Sequence, residues 1–515
     1  MEKKGIICME NIKRKIMNIC EMVIMLFFTC FVTVLFLGSV VGSYMVDINE
    51  HSYFKKNNSL LVLCGCVVVL LFVLCVKNRI TLLSKIKYKK IIWIIFLVFY
   101  GVGMCVFALY LGIKPRADQG KVIEVAMQMV KGDFSAFQKG GYMYIYPNQV
   151  GIVYFFYWIT KRLHSLTGIV TILNCLSVII TIIAIQGIGR VLKKDKEDYS
   201  FGIVAFLFLP LHFYVTFIYG NLIGLALSMV GVWFTMLYLE EQKALFVIIA
   251  ICSIAFSVVI KENYIIPMIG VLVVLLLDMI KQPKKLTLIF LLGCCGSTLL
   301  ISSGVKWHTE RIVGTNLSEG VPSLAWITMG IYDGDVTPGW CNGYNESVFR
   351  NNDCNQEKTK KQIAIDFSKQ LSHWKTNPGK FINYLIKKNN SQWNNPTFEC
   401  FWINSISLRK TENIETKEYG KIVNSLTDEL GNKLLVFFMD CYQSIVWFGT
   451  LCWLILERKK EIRQKLLPAI IFIGGFVFHT FWEAKCQYTF SYFLIIIPYS
   501  IVGLHLLSDK IKSRE

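Results

Sequence analysis

The chain has 515 residues, of which 54% are hydrophobic and 17% are charged. A soluble protein of this length carries about a quarter charged residues, so the composition excludes one large soluble domain. The net charge of +19 does not indicate nucleic acid. Lys and Arg gather in short loops between apolar runs, without interleaved aromatic residues, as they do in the cytoplasmic loops of membrane proteins.

Apolar runs of about 17 residues or more recur along almost the whole chain, and a run of that length can cross a bilayer as a helix. They predict an all-α polytopic membrane protein. The first run lacks an A-x-A-like cleavage site and many runs follow it, so it is interpreted as a span. Twelve spans are predicted, at residues 23–46, 60–76, 91–113, 167–189, 201–219, 221–239, 244–260, 263–280, 286–305, 434–456, 466–482 and 489–507.

A further apolar stretch, residues 150–160, has 11 residues. It is too short to cross, so it is predicted to lie at the membrane interface. With that assignment, the basic loops at 190–200, 281–285 and 458–460 all fall in the cytoplasm, where Lys and Arg concentrate. The chain is therefore expected in the bacterial cell (plasma) membrane, with both termini cytoplasmic and the candidate site extracytoplasmic.

The spans and loops divide the chain into four predicted regions. Residues 1–90 hold two N-terminal transmembrane helices. Residues 91–305 form a transmembrane core that contains the first outer loop, 114–165. Residues 306–433 form an extracytoplasmic loop domain, and residues 434–515 hold the C-terminal transmembrane helices.

The first outer loop contains the residue with the clearest chemical interpretation, Asp118. From Asp118 to Lys131 the apolar and charged residues separate onto two faces of a helix. This pattern predicts an amphipathic helix lying flat on the membrane. A second interfacial segment follows the pair Tyr146-Pro147. Asp118 could act as a general base at the membrane surface, or it could simply cap the flat helix.

This order of elements resembles the type C glycosyltransferases. It runs from a span through an acidic turn and a flat helix to a Tyr-Pro pair and a second flat helix. More closely, it is similar to the bacterial glycosyltransferase family 39 group, which includes relatives of protein O-mannosyltransferases and of the enzyme that adds aminoarabinose to lipid A. The resemblance covers most of the chain from about residue 91, and it implies that Asp118 is the catalytic carboxylate. The chain departs from the family at Gln119, where a second acid is common, and at Asn148, where a second proline is common.

Two short turns place charges at the predicted outer ends of late spans, Lys261 in one and Lys485 in the other. Charges at this depth are costly and are functional candidates by default. Both lysines are predicted to bind the phosphate of a lipid-linked donor and to stabilise it as the leaving group, as the resemblance also implies. The alternatives are a local ion pair or a lysine that reaches toward lipid headgroups. Arg116 is a third candidate for the donor phosphate.

Further residues are predicted to support this site, namely Glu262, Tyr264, Glu483 and Tyr146. No metal site is assigned and no cofactor is certain. A divalent metal ion is the one candidate cofactor, because some relatives use one and His308 and Glu310 could help to hold it. Two loop cysteines, Cys341 and Cys354, could form a disulfide or remain free thiols.

The sequence therefore predicts a membrane glycosyltransferase that moves a sugar from a polyprenyl-phosphate donor to an extracytoplasmic envelope acceptor, which could be a glycan, a lipid or a protein. The resemblance implies inversion at the anomeric carbon. The expected partners are the donor, the acceptor and the bilayer, without nucleic acid. The alternatives are a transporter or flippase for a lipid-linked saccharide and a non-catalytic envelope assembly protein. A transporter would favour paired halves, and no internal repeat is visible in the sequence.

Overall fold

The structure is a computed structural model. It describes residues 2–47, 50–57, 59–67, 88–112, 115, 117–163, 165–195, 197–334, 337–409, 429–457 and 463–513. Within these ranges the chain is mostly helical, so the all-α class is confirmed. In chain order the helices are α1 (Glu2–Val41), α2 (Lys89–Leu111), α3 (Asp118–Val130), α4 (Tyr142–Ile145), α5 (Val150–Leu163), α6 (Leu166–Lys193), α7 (Ser200–Phe206), α8 (Leu209–Phe213), α9 (Asn221–Glu241), α10 (Ala244–Ile260), α11 (Ile265–Lys281), α12 (Lys285–Val313), α13 (Leu324–Gly330), α14 (Tyr344–Asn351), α15 (Gln356–Thr376), α16 (Pro378–Trp393), α17 (Cys400–Arg409), α18 (Glu429–Leu456), α19 (Arg463–Phe481) and α20 (Cys486–Lys512).

Among the described residues, eight helices are long and apolar enough to cross a membrane. Two shorter apolar helices, Ala244–Ile260 and Lys465–Phe481, occupy two further predicted spans. Of the predicted span 60–76, residues 68–76 lie outside the described residues. The eight long helices are Ile12–Val41, Lys89–Leu111, Leu166–Lys193, Asn221–Glu241, Glu262–Lys281, Lys285–Val313, Leu430–Leu456 and Cys486–Lys512.

The first span ends earlier than predicted. Instead of continuing to residue 46, the chain leaves α1 at Val41 and forms β1 (Gly42–Val46), which pairs antiparallel with β2 (Ser52–Lys56). The β1–β2 hairpin is fixed to the helices by polar contacts, since the Ser43 hydroxyl donates to the buried Asp440 carboxylate. It also lies against the predicted loop domain, residues 306–433, which we call the long loop, because the Tyr44 backbone N–H donates to the Asn394 carbonyl at 2.9 Å.

The predicted continuous helix at residues 201–219 is wrong. This segment consists of α7, α8 and a 3₁₀ turn at Tyr214–Thr216, because Pro210 has no backbone N–H and disfavours a helical residue before it. The freed carbonyls of Val215 and Phe217 accept hydrogen bonds from the buried Asn174 amide at 2.9 and 3.2 Å. Broken backbone at membrane depth is tolerated where protein surrounds it and satisfies it in this way.

The long loop also enters the bundle. Residues 391–400 are all buried, and the Trp393 ring packs between Phe472 and Phe476 of α19 at centroid distances of 5.2 and 5.4 Å. The Phe398 carbonyl accepts a hydrogen bond from the hydroxyl of Tyr214 in the broken segment. A polar stretch from the predicted loop domain is therefore part of the core that the spans share.

Lys388, three residues before this buried stretch, connects the loop to the turn before α20. Its side chain is fully buried, and its ammonium group donates to the carbonyls of Gly330 and Trp482 at 2.5 and 2.6 Å. The turn is held further by the backbone N–H of Ala484, which donates to the Gly339 carbonyl at 2.8 Å. The loop therefore determines where the residues after α19 lie.

We expect Lys388→Ala to lower the free energy of unfolding by about 2–4 kcal/mol, because the Trp482 carbonyl loses Lys388 as its donor, the Gly330 carbonyl keeps only the bond from the Tyr384 hydroxyl, and a cavity remains. The matched control is the neighbouring Lys387→Ala, since Lys387 is exposed and its loss should cost less than about 0.5 kcal/mol. Thermal unfolding of both variants in detergent, followed by tryptophan fluorescence, measures the difference. Equal unfolding midpoints would contradict the role assigned to Lys388.

Candidate functional site

The structure brings the predicted residues of the first outer loop and of the two late turns to one end of the bundle. Asp118 begins α3, Lys261 follows α10, and Glu483 and Lys485 precede α20. Asp118 interacts electrostatically with both Lys261 and Glu483, and Lys261 also interacts with Lys485. We call these four residues the charged cluster.

Asp118 is exposed at the surface of the cluster. Its carboxylate oxygen Oδ2 accepts a hydrogen bond from the Tyr219 hydroxyl at 3.4 Å. The N-cap position of α3 is occupied by Ala117, without a side-chain capping bond, so Asp118 does not cap the helix in the way that its sequence position allowed. At the first helical position its charge is still favoured by the helix dipole.

The apolar face predicted for α3 is confirmed. Val122, Val125, Ala126 and Met129 are all buried. They pack against α5, however, so protein rather than lipid covers this face. The contact fixes the direction in which α3 presents Asp118.

Helix α5 lies across the same end of the bundle. Near its start, a Cβ on Gly151 would overlap the Val259 carbonyl at the end of α10. Near its other end, the Trp158 ring lies 6.0 Å from the ring of His308, at the end of α12. Because α10 and α12 run in the same direction, both contacts are at one end, as expected for a helix that lies across the spans. Its 14 residues reach about 21 Å, too short to cross.

Lys261 is buried beside this helix, with 9% of its surface exposed. Its ammonium nitrogen lies 3.4 Å from the centre of the Tyr219 ring, a cation–π contact. Burial lowers the pKa of Lys261 to about 7, although the nearby carboxylates of Asp118 and Glu262 raise it in part. Near neutral pH, a small change in local charge therefore changes the protonation of Lys261.

Lys485 has different surroundings. Its ammonium lies 2.7 Å from the carboxylate of Glu50, which comes from the turn of the β1–β2 hairpin. Burial lowers the pKa of Lys485, but Tyr488, Glu50, Glu483 and the other nearby acids raise it more, so the net pKa is well above the usual value. Lys485 is therefore charged and already paired.

Glu399, from the buried stretch of the long loop, is a third carboxylate near Lys485. It is 1% exposed. Its oxygen Oε1 accepts from the Cys486 backbone N–H at 2.9 Å. Burial and Glu50 raise the pKa of Glu399 to about 7, against the opposing effect of Lys485. Burial also raises the pKa of Glu483. The Lys485 ammonium lowers this pKa in part, and the Glu50 carboxylate raises it further.

Sequence reasoning missed Glu50 and Glu399. Glu50 lies in the N-terminal region outside the family resemblance, and no local pattern marks it. Glu399 had a weak signal, as the one acid in the polar stretch from residue 388 to residue 399. Both reach the cluster through contacts between segments that are distant in sequence.

The predicted supporting residues differ in their contacts. The Tyr146 hydroxyl donates to the Glu346 carboxylate at 2.9 Å. Burial and Glu346 raise the pKa of Tyr146, and Asp118 adds a smaller contribution in the same direction. The Tyr264 hydroxyl donates to the Asn221 carbonyl at 2.6 Å, which is a structural contact. Glu262 is exposed next to Lys261. Arg116 lies outside the described residues.

The remaining candidates have other contacts. The described residues contain no group of three His, Cys, Asp or Glu side chains that could hold a metal ion. Glu310 accepts from the Leu317 backbone N–H at 2.9 Å, while the His308 ring packs edge-on against Tyr154 at 5.6 Å. The thiols of Cys341 and Cys354 are free.

Residues 16–502 match the family described as conserved hypothetical integral membrane protein. The chain belongs to this family. Membership and the eight candidate spans together show that the protein is a membrane protein with several apolar helices in a lipid bilayer. Comparisons with curated proteins and with solved structures return no match.

We expect Lys261 to titrate with a midpoint near pH 7, below the value of about 10.4 for an unperturbed lysine. The charged fraction should fall as the pH rises through 7. The measurement is NMR of ¹³C-dimethylated lysines in detergent, with Lys261→Arg to assign the signal. Asp118→Asn should lower the midpoint further, because the Asp118 carboxylate raises this pKa.

The matched control for this titration is Glu124→Gln, since Glu124 is exposed on α3 and pairs with Lys121 at 3.1 Å. It should leave the Lys261 midpoint unchanged. A midpoint above pH 9 in the wild-type protein would contradict the burial of Lys261. An equal shift in the Asp118 and Glu124 variants would contradict the proximity of Asp118.

Proposed function

We propose that the protein is a membrane glycosyltransferase that transfers a sugar from a polyprenyl-phosphate donor to an acceptor hydroxyl in the cell envelope. One observation carries the proposal. Tyr219 joins an exposed carboxylate to a buried cation, because its hydroxyl contacts Asp118 and its ring contacts Lys261. A base and an anion-binding group therefore lie on two sides of one side chain, as a transfer between a hydroxyl and a phosphate-linked sugar requires.

In the proposed reaction, the acceptor oxygen forms a bond to the anomeric carbon of the sugar. The bond between that carbon and the phosphate oxygen breaks, and its electrons leave with the polyprenyl phosphate. The proton of the acceptor hydroxyl passes to the Asp118 carboxylate. Attack opposite to the leaving phosphate inverts the anomeric centre.

Lys261 is the first group proposed to meet the donor phosphate. With a pKa of about 7, its amine carries only part of a charge at neutral pH before the donor arrives. A phosphate beside it favours the ammonium form, so binding draws a proton to Lys261. The ammonium then stabilises the phosphate as it leaves.

Lys485 is proposed to act second. Its charge is neutralised by Glu50 at 2.7 Å, so a phosphate reaches it only when the Glu50 carboxylate withdraws. Glu50 is better able to leave than Glu399 or Glu483. Its side chain is 27% exposed and its backbone has a strained φ of +67°, whereas the other two carboxylates are buried.

The proposed localisation follows from the positive-inside arrangement of the loops. The charged cluster would face the outside of the bacterial cell membrane and both termini the cytoplasm. The long loop, with its buried stretch next to Lys485, would then meet the envelope acceptor, which is a glycan, a lipid or a protein.

We expect Asp118→Asn to reduce sugar transfer by at least about 10²-fold, the usual contribution of a positioned general base, at unchanged protein level. Cells expressing each variant are compared by mass analysis of envelope glycans and of polyprenyl-linked sugars, and an accumulating carrier identifies the donor. The control is Glu124→Gln, on the same helix. If the Asp118 variant leaves the glycans and carriers as in the wild type, the proposed function fails.

We expect Glu50→Gln to tighten binding of farnesyl phosphate, a short soluble polyprenyl phosphate, by about 3–10-fold, because the carboxylate no longer competes for Lys485. Purified protein in detergent is titrated with the probe and followed by tryptophan fluorescence. Asp47→Asn is the control, because Asp47 lies in the same hairpin turn and pairs with His51 at 3.6 Å. Weaker binding by the Glu50 variant would contradict the competition.

A further inference from the structure

A second set of cations lies away from the charged cluster, where the C-terminal ends of α5 and α12 meet. Gly151, near the start of α5, touches the end of α10 beside Lys261, and Lys161 lies ten residues further on, about 15 Å along the helix. We call this set the aromatic-basic patch. It consists of Tyr157, Trp158, Lys161 and Arg162 of α5 and Lys306, Trp307 and Arg311 of α12.

The cations of the patch are held on aromatic rings. The Lys161 ammonium donates to the Tyr157 hydroxyl at 2.9 Å and lies 5.5 Å from the Trp158 ring centre. The Arg162 guanidinium lies 5.6 Å from the same ring, and Arg311 lies 5.6 Å from the Trp307 ring. These contacts orient the positive charges without neutralising them.

Within the described ranges, only one of the four cations in the patch, Lys306, has a carboxylate partner. Among the described residues, no Asp or Glu forms an ion pair with Lys161, Arg162 or Arg311. The nearest acid along α12, Glu310, accepts from the Leu317 backbone N–H at 2.9 Å and lies 4.0 Å from Lys306. The patch therefore presents a surplus of positive charge beside Trp307, which is 59% exposed.

An uncovered apolar stripe on α12 leads along the helix to the patch. Leu292, Leu300 and Trp307 are 59%, 76% and 59% exposed, and Gly296 and Gly304 between them have open space beside their backbone. From Leu292 to Trp307 the stripe is about 22 Å long. A long hydrocarbon chain matches this shape, with an anionic group next to the cations.

We propose that the aromatic-basic patch binds the phosphate headgroup of an anionic phospholipid of the surrounding bilayer, whose acyl chain lies along the α12 stripe. Charge complementarity selects an anion, and the apolar stripe selects a lipid over free phosphate. The site is separate from the proposed donor site, because it lies on the other end of α5 from Lys261. The inference therefore does not depend on glycosyl transfer.

The test is native mass spectrometry of the purified protein titrated with phosphatidylglycerol or with phosphatidylcholine. We expect the wild-type chain to retain one phosphatidylglycerol at least tenfold more tightly than phosphatidylcholine. The triple variant Lys161→Gln, Arg162→Gln, Arg311→Gln should lose this preference. The control variant replaces four other exposed lysines with Gln, at Lys361, Lys375, Lys380 and Lys387, and should keep it.

A charge-conserving variant, Lys161→Arg with Arg162→Lys, separates charge from folding, because it should retain the lipid. Equal retention of both lipids by the wild type, or an unchanged preference in the triple variant, would overturn the proposal. Displacement of the bound lipid by millimolar inorganic phosphate would show an anion site that does not need a lipid. Displacement by farnesyl phosphate at far lower concentration than by phosphatidylglycerol would assign the patch to the donor instead.

Discussion

The cost of removing charge from water at one end of an apolar bundle governs this structure. Lys261 follows the apolar helix α10 and Lys485 precedes the apolar helix α20, and both side chains are largely withdrawn from water. A buried cation needs a partner or loses its proton. The two lysines meet this requirement differently. Lys261 lies on a tyrosine ring and has a pKa of about 7. Lys485 keeps its charge because acids surround it.

The partners of Lys485 come from three separate parts of the chain. Glu50 is in the N-terminal hairpin, Glu399 is in the buried stretch of the long loop, and Glu483 is in the turn before α20. These segments are also held together by hydrogen bonds to backbone carbonyls, from one backbone N–H and from one buried lysine. Tyr44 in the hairpin bonds to Asn394 in the loop, and Lys388 in the loop bonds to Trp482 in the turn. The cluster therefore depends on an outer layer of polar backbone contacts, as well as on the spans.

Much of the fold and part of the candidate site could be predicted. Long apolar stretches predict most of the spans because transmembrane length and hydropathy are local properties, and the buried face of α3 follows from its helical period. The break in residues 201–219 was missed because the length and hydropathy of the segment favour a continuous span, and these outweighed the one local signal for a break, Pro210. The strand after Val41 was missed because residues 42–46 carry no charge, so the uncharged run appears to continue to Val46. The pairing of Glu50 with Lys485 joins residues 435 positions apart, and local pattern does not reveal such contacts.

By itself, the amino-acid sequence determined that this is a helical membrane protein, where most helices lie, and which charges stand at their ends. These properties depend on neighbouring residues and on the energy of placing them in a bilayer. The tertiary structure alone decided that Asp118 and Lys261 share Tyr219, that Lys485 is paired with Glu50, and that the long loop enters the bundle. Those outcomes depend on which distant segments satisfy one another's buried polar groups, and that is settled only when the whole chain packs.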